Sequence, residues 1–261
     1  MKFYEYGSPE LPVILLIPGT CCHHSMFDHV VPLLTQSFHV VVVSFDGFDE
    51  TEPDVTYPDM TIETERIEAY VRDACGGTIF SAYGCSLGGS FVAYLVQRQN
   101  IYIEHAIIGS SDMDEAGPLS ARIQANIIGA LLMRMLSKGL PKWVNRRMDK
   151  RIAENPESAE YYERFMGLFT DDHLKGFVSC KSIENQFYSD LVTKIEDGID
   201  VPGTQIHVFY ALKMGDQYRT RYLRHFAHPD IREHDLQHEE LLFCQPNEWV
   251  QEVRRCCGMA G

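Results

Sequence analysis

Ser86 lies between two glycines in Gly84-Cys85-Ser86-Leu87-Gly88, directly after the apolar run Thr78 to Tyr83 and directly before a helical stretch that starts near Gly89. A strand that turns sharply into a helix forces the residue at the bend into a strained backbone conformation, so its neighbours must lack side chains. The hydroxyl then stands exposed at the strand end. The first turn of the helix presents N–H groups, and the positive end of its dipole, to any negative charge that develops there. A serine hydroxyl is a weak nucleophile until a neighbouring base takes its proton. The chemistry to look for is therefore nucleophilic attack by Ser86, with a histidine and a carboxylate brought in from elsewhere. The competing reading is a glycine-rich turn carrying an idle serine. Gly-x-Ser-x-Gly alone is a weak pattern, and its place between strand and helix is what favours the chemical reading.

The elements that would position such a site alternate along the chain. Val13 to Ile17, His39 to Ser44, Thr78 to Tyr83, Glu104 to Ile108, Gln205 to Leu212 and, more weakly, Ile231 to Leu236 read as strands. Their continuous apolar character suits a parallel sheet covered on both faces. Met60 to Ala74, Gly89 to Arg98 and Asn247 to Cys256 read as helices, the first capped by Asp59 or Thr61. Alternation of this kind predicts an α/β, doubly wound, mostly parallel sheet. From Asp112 to Ile199 the alternation stops and the chain reads as mostly helix, rich in methionine and aromatic residues. The expected organisation is a core of residues 1–111 and 200–261 with a helical cap inserted at 112–199.

These features resemble the α/β-hydrolase superfamily, and the likeness spans nearly the whole chain. Its nucleophile elbow is the pattern around Ser86. Ile17-Pro18-Gly19-Thr20 follows the first clear strand and stands where the family usually has His-Gly and a hydrophobic residue, with Pro18 in place of the histidine. The resemblance implies an oxyanion hole made by the backbone N–H groups of Thr20 and Leu87. It also implies the order serine, acid, histidine. The histidine is then His238, ahead of Pro246 and the last helix, whereas neighbouring His234 falls within a strand. The acid is Asp216, in Lys213-Met214-Gly215-Asp216 after a late strand, or else Asp112 at the end of the fourth strand. Glu239 and Glu240 are expected as solvated loop residues. So are His23, His24 and His29, with His225 and His228 in a surface helix and turn.

Composition narrows the partners. The chain has 261 residues, 45% of them hydrophobic, and a formal net charge of −14. Such acidity disfavours nucleic acid, whose phosphates need clustered Lys and Arg, and disfavours anionic lipid. No apolar run is long enough to cross a bilayer, and the N-terminal residues lack a secretory pattern, so a cytoplasmic protein is expected. The 8 cysteines are expected as free thiols. A zinc site from Cys21, Cys22, His23 and His24 matches no usual tetrahedral spacing, and neither metal nor cofactor is expected.

The expected reaction is hydrolysis of a small, largely apolar carboxylic ester through an acyl-enzyme. The alternatives are a peptidase or amidase with the same groups, a C–C hydrolase or lyase, and a non-catalytic ligand-binding protein. A peptidase acting on free N-termini would need an acid such as Glu160, Glu163, Asp171 or Asp172 to hold the substrate amine.

Overall fold

The computed structural model describes residues 1–259. Seven strands form one sheet: β1 (Lys2–Tyr6), β2 (Val13–Ile17), β3 (His39–Ser44), β4 (Thr78–Gly84), β5 (Tyr102–Ile108), β6 (Gln205–Ala211) and β7 (Asp230–His234), in the spatial order β1-β3-β2-β4-β5-β6-β7. All neighbours pair in parallel except β1 with β3. The inner strands are buried on both faces, which explains why β2 and β3 read as unbroken apolar runs. Leu15, Ile17, Val41 and Val43 join one apolar core, and Ile14, Leu16, Val40 and Val42 join the other. This alternation is the two-residue period of a strand.

Helices cover both faces. They are α1 (Val31–Leu34), α2 (Met60–Cys75), α3 (Leu87–Arg98), α4 (Pro118–Lys138), α5 (Lys142–Glu154), α6 (Ala159–Gly167), α7 (Cys180–Val192), α8 (Asp216–His225), α9 (Glu240–Cys244) and α10 (Pro246–Cys256). Asp59 caps α2 by accepting from the Ile62 N–H, and Gly76 ends that helix in a left-handed conformation. Ile67 and Val71 of α2 and Phe91, Val92 and Leu95 of α3 fill the first core. Trp249, Val250 and Val253 of α10 fill the second. The edge strand β1 was absent from the expected strands because KFYEY is too polar to read as a buried run.

Between β5 and β6 the chain runs through α4, α5, α6 and α7, with short 3-10 turns between them. α4 lies so close on α7 that a Cβ on Gly129 would come 2.7 Å from Glu184 Cγ. α7 is also tied to the strand-and-helix core by buried polar bonds. Ser182 Oγ accepts from the Tyr57 N–H at 3.2 Å and Ser189 Oγ from the Met60 N–H at 3.0 Å. No helix among the described residues is long and apolar enough to cross a membrane.

Candidate functional site

The site lies at the C-terminal ends of β2, β4 and β5, where ligands of open α/β sheets bind. Ser86 follows β4 with φ 51° and ψ −113°, a strained position for a residue with a side chain. The flanking glycines have no room for anything larger. A Cβ on Gly84 would be 2.0 Å from Gly88 O, and a Cβ on Gly88 would be 2.2 Å from Ile17 O. α3 thus starts pressed against the end of β2, and the Ser86 hydroxyl projects from the bend.

His238 comes from the loop between β7 and α9, and its Nε2 lies 3.0 Å from Ser86 Oγ. The imidazole is partly buried. The Phe165 ring of α6 stands edge-on to it, centroids 6.0 Å apart. Burial pulls the His238 pKa below the usual imidazole value, and the charge of Glu239 works against that pull. A neutral imidazole with Nε2 free to accept from the serine hydroxyl is the state a general base needs.

The Thr20 N–H lies in the loop after β2, and the Leu87 N–H opens α3. Neither donates to another protein group among the described residues. The loop after β2 is held by α7. Cys21 has φ 54° and its N–H donates to Gln186 Oε1 at 2.7 Å, both residues being fully buried. Gln186 is a residue the sequence reading passed over, since nothing local connects it to position 21.

Asp216 is not brought to His238. After β6 a 3-10 turn (Leu212–Met214) leads to Gly215, at φ 110°, and Asp216 is the first residue of α8, exposed to solvent. A carboxylate at a helix N-terminus is stabilised by the dipole there, and that is the position the Gly-Asp pair takes up. Asp112 is also exposed. Its carbonyl accepts from Arg221, and among the described residues no hydrogen bond joins either aspartate to the imidazole.

The carboxylate that does enter the site is Glu239. The expectation of a solvated loop residue is corrected: Glu239 is 5% exposed. Its backbone is left-handed, φ 57°, so its side chain turns inward between the ends of β4 and β5. Oε1 accepts from the N–H of Ser86 at 2.8 Å and of Ser110 at 2.7 Å, and Oε2 from the Tyr83 hydroxyl at 2.6 Å. Glu240, expected as a solvated loop residue, instead opens α9 half-buried and accepts from the Gln237 N–H.

Two histidine expectations are corrected as well. His23 is 2% exposed, held between Ser25 and Glu50, with Nε2 2.6 Å from Glu50 Oε2. His225 is fully buried at the end of α8, its Nδ1 3.2 Å from Glu196 O. His23, Glu50 and His173 place their ligand atoms within 4.8 Å of one another, as do His207, Asp230 and Cys256 at the opposite ends of the strands. Cys21 and Cys22 are buried free thiols and do not share a cluster with His23. Burial pushes the Cys21 pKa well up and that of Cys22 up to about 12, so neither offers a ready thiolate.

Beside the site, α5 and α6 enclose a cleft of about 250 Å³. Trp143, Met148, Tyr161, Phe165 and Met166 line it, together with Arg147, Arg151 and Gln237, the chain neighbour of His238.

Comparisons with known proteins agree with this architecture. A family model described as alpha/beta hydrolase fold matches residues 12–190. A short segment is similar to 1H-3-hydroxy-4-oxoquinoline 2,4-dioxygenase of Pseudomonas putida, 35% identical over 54 residues; this covers 21% of the chain, which spans about a fifth (20%) of the length of that curated relative. Among solved structures, a Desulfitobacterium hafniense protein assigned to the alpha/beta hydrolase family superposes with TM-score 0.78 at 16% identity, covering 97% of this chain and 99% of that one. The enol-lactonase of Burkholderia xenovorans LB400 superposes with TM-score 0.69 at 14% identity, covering 98% and 96%. At such identities the structural likeness is one of fold. The sequence match is broader in its meaning: it begins just before β2, takes in the whole elbow and ends inside α7, more than half of the molecule, and the chain therefore belongs to the alpha/beta hydrolase fold family.

Proposed function

We propose that the protein is a serine hydrolase that cleaves a small, largely apolar carboxylic ester through an acyl-enzyme, with Ser86 as nucleophile and His238 as base. The observation that carries this reading is the 3.0 Å approach of His238 Nε2 to Ser86 Oγ at a strained elbow. In the first step the Ser86 O–H bond breaks and its proton passes to Nε2. Oγ bonds to the ester carbonyl carbon, and the carbonyl electron pair moves onto oxygen. The Thr20 and Leu87 N–H groups, with no protein acceptor among the described residues, are the donors for that oxyanion. Collapse expels the alcohol, which takes the proton from His238, and water then repeats the sequence on the acyl-enzyme.

The cleft between α5 and α6 is largely aromatic and methionine-lined, with Arg147 and Arg151 at its wall, and supports a largely apolar acyl or alcohol group. Its methionines accommodate several shapes, and it comes within one side chain, Phe165, of the imidazole. Three of the four cap acids do not favour a peptidase that holds a free amine: Glu160 and Asp172 are exposed and paired with Arg164 and Lys175, and Glu163 is exposed, whereas half-buried Asp171 accepts from the His173 N–H.

Two measurements test the reading together. A fluorophosphonate probe should label the wild type and not Ser86→Ala, and p-nitrophenyl esters should be hydrolysed with a preference for longer acyl chains. Ser86→Ala should lose about a thousandfold or more in kcat. Absence of labelling and of hydrolysis in the wild type would return the protein to a ligand-binding role.

A further inference from the structure

We propose that Glu239 is the positioning anion of this site: one buried carboxylate pins the Ser86 backbone and the His238 loop together and supplies the fixed negative charge against which the His238 imidazolium forms. The inference rests on the serine-hydrolase reading and deepens it.

Two consecutive residues of the loop do opposite things. His238 reaches the Ser86 hydroxyl, and Glu239, turned by its positive φ, reaches beneath it to the Ser86 N–H. All three groups that bond the carboxyl are donors: two main-chain N–H groups and the Tyr83 hydroxyl. Both oxygens therefore act as acceptors, the pattern of a carboxylate. The cradle is shaped for it. A Cβ on Gly109 would fall 2.4 Å from Oε1, so a glycine is needed where β5 ends.

When Ser86 passes its proton to Nε2, the imidazole becomes a cation at a partly buried position. In a triad a carboxylate stabilises that cation. Here Asp216 and Asp112 are exposed, and Glu239 is the charged neighbour acting on His238. The other titratable groups facing Glu239 are Tyr83, Cys85, Cys22, Tyr161 and Tyr222. Burial above all, with the carboxylate adding to it, pushes every one of them upward, so they stay neutral through the working range. None of these groups is a cation, so none of them competes with the imidazolium for the carboxylate behind the serine.

Glu239→Gln separates charge from shape, because an amide oxygen still accepts from the two N–H groups. The experiment is the pH profile of kcat/KM for a p-nitrophenyl ester, with the thermal midpoint measured alongside. The proposal expects the acidic limb, which reports His238, to move down by about half a pH unit or more and the plateau to fall about 10- to 100-fold. A purely structural role would lower the rate without moving the limb, and that result, or an unchanged profile, overturns the proposal. If the glutamine variant does not fold, Tyr83→Phe replaces it. That change removes one donor and leaves a less neutralised anion, so the limb should move upward by several tenths of a unit, and a fixed limb overturns the proposal. A wild type that neither hydrolyses esters nor takes the fluorophosphonate label fails the parent reading instead, before any Glu239 variant is compared.

Discussion

Gly88→Ala is the sharpest test of how the elbow is built. The added Cβ would lie 2.2 Å from Ile17 O and 2.9 Å from both Ile17 C and Pro18 O. These are main-chain atoms and cannot rotate away, so α3 and the end of β2 must part by about 1 Å before an ordinary contact distance returns. That displacement separates the two sides of the site. Ser86 and Leu87 ride with α3, while Thr20 rides with the β2 loop. Misplacing reacting groups by about 1 Å costs on the order of a hundredfold in rate. Overpacking of this kind costs about 1–3 kcal/mol of stability, which in a chain of this size lowers the thermal midpoint by roughly 2–12 °C. The assay is kcat/KM on a p-nitrophenyl ester together with a thermal melt. Gly167→Ala is the control, since a Cβ there meets nothing within 4 Å and the residue ends α6 with helical angles; it should keep full activity. If Gly88→Ala retained the wild-type rate, or lost stability with no loss of rate, the close contact of helix and strand would not be what sets the site.

Two further outcomes follow from single contacts. Gln186→Ala removes the acceptor of the Cys21 N–H at 2.7 Å and so loosens the loop that carries Thr20; kcat should fall about 10- to 100-fold with KM little changed, and a KM effect alone would refute it. Arg98→Ala strips the buried Glu68 carboxylate, 2% exposed, of bonds at 2.6 and 3.1 Å, leaving Asn100 at 3.0 Å as its one partner among the described residues. An uncompensated buried charge costs about 3–5 kcal/mol, a fall of roughly 6–20 °C in the melt. A loss under about 1 kcal/mol would show Glu68 reaching water instead.

What the sequence determined by itself is what neighbouring residues determine. Strands β2 and β3 begin and end where the apolar runs do, and Asp59 caps α2 as its type and place predict. The turn at Ser86 is written in Gly84 and Gly88, because sterics at a bend depend on residues a few positions apart. The approach of His238 to Ser86 was legible through the family pattern. The carboxylate was not. Gly215-Asp216 looks like a loop aimed at the histidine and is instead the start of α8, a distinction set by the residues after it. Glu239 reads as one more acidic loop residue until its donors are known, and those come from positions 83, 86 and 110, more than a hundred residues away. His23 and His225 were misread as exposed for the same reason, as His23 owes its place to Glu50 and His225 to Glu196. Burying a polar group is tolerable only where partners converge on it. Convergence is a property of the folded sheet and not of any segment, so the tertiary structure alone decided which charges lie inside and which face water.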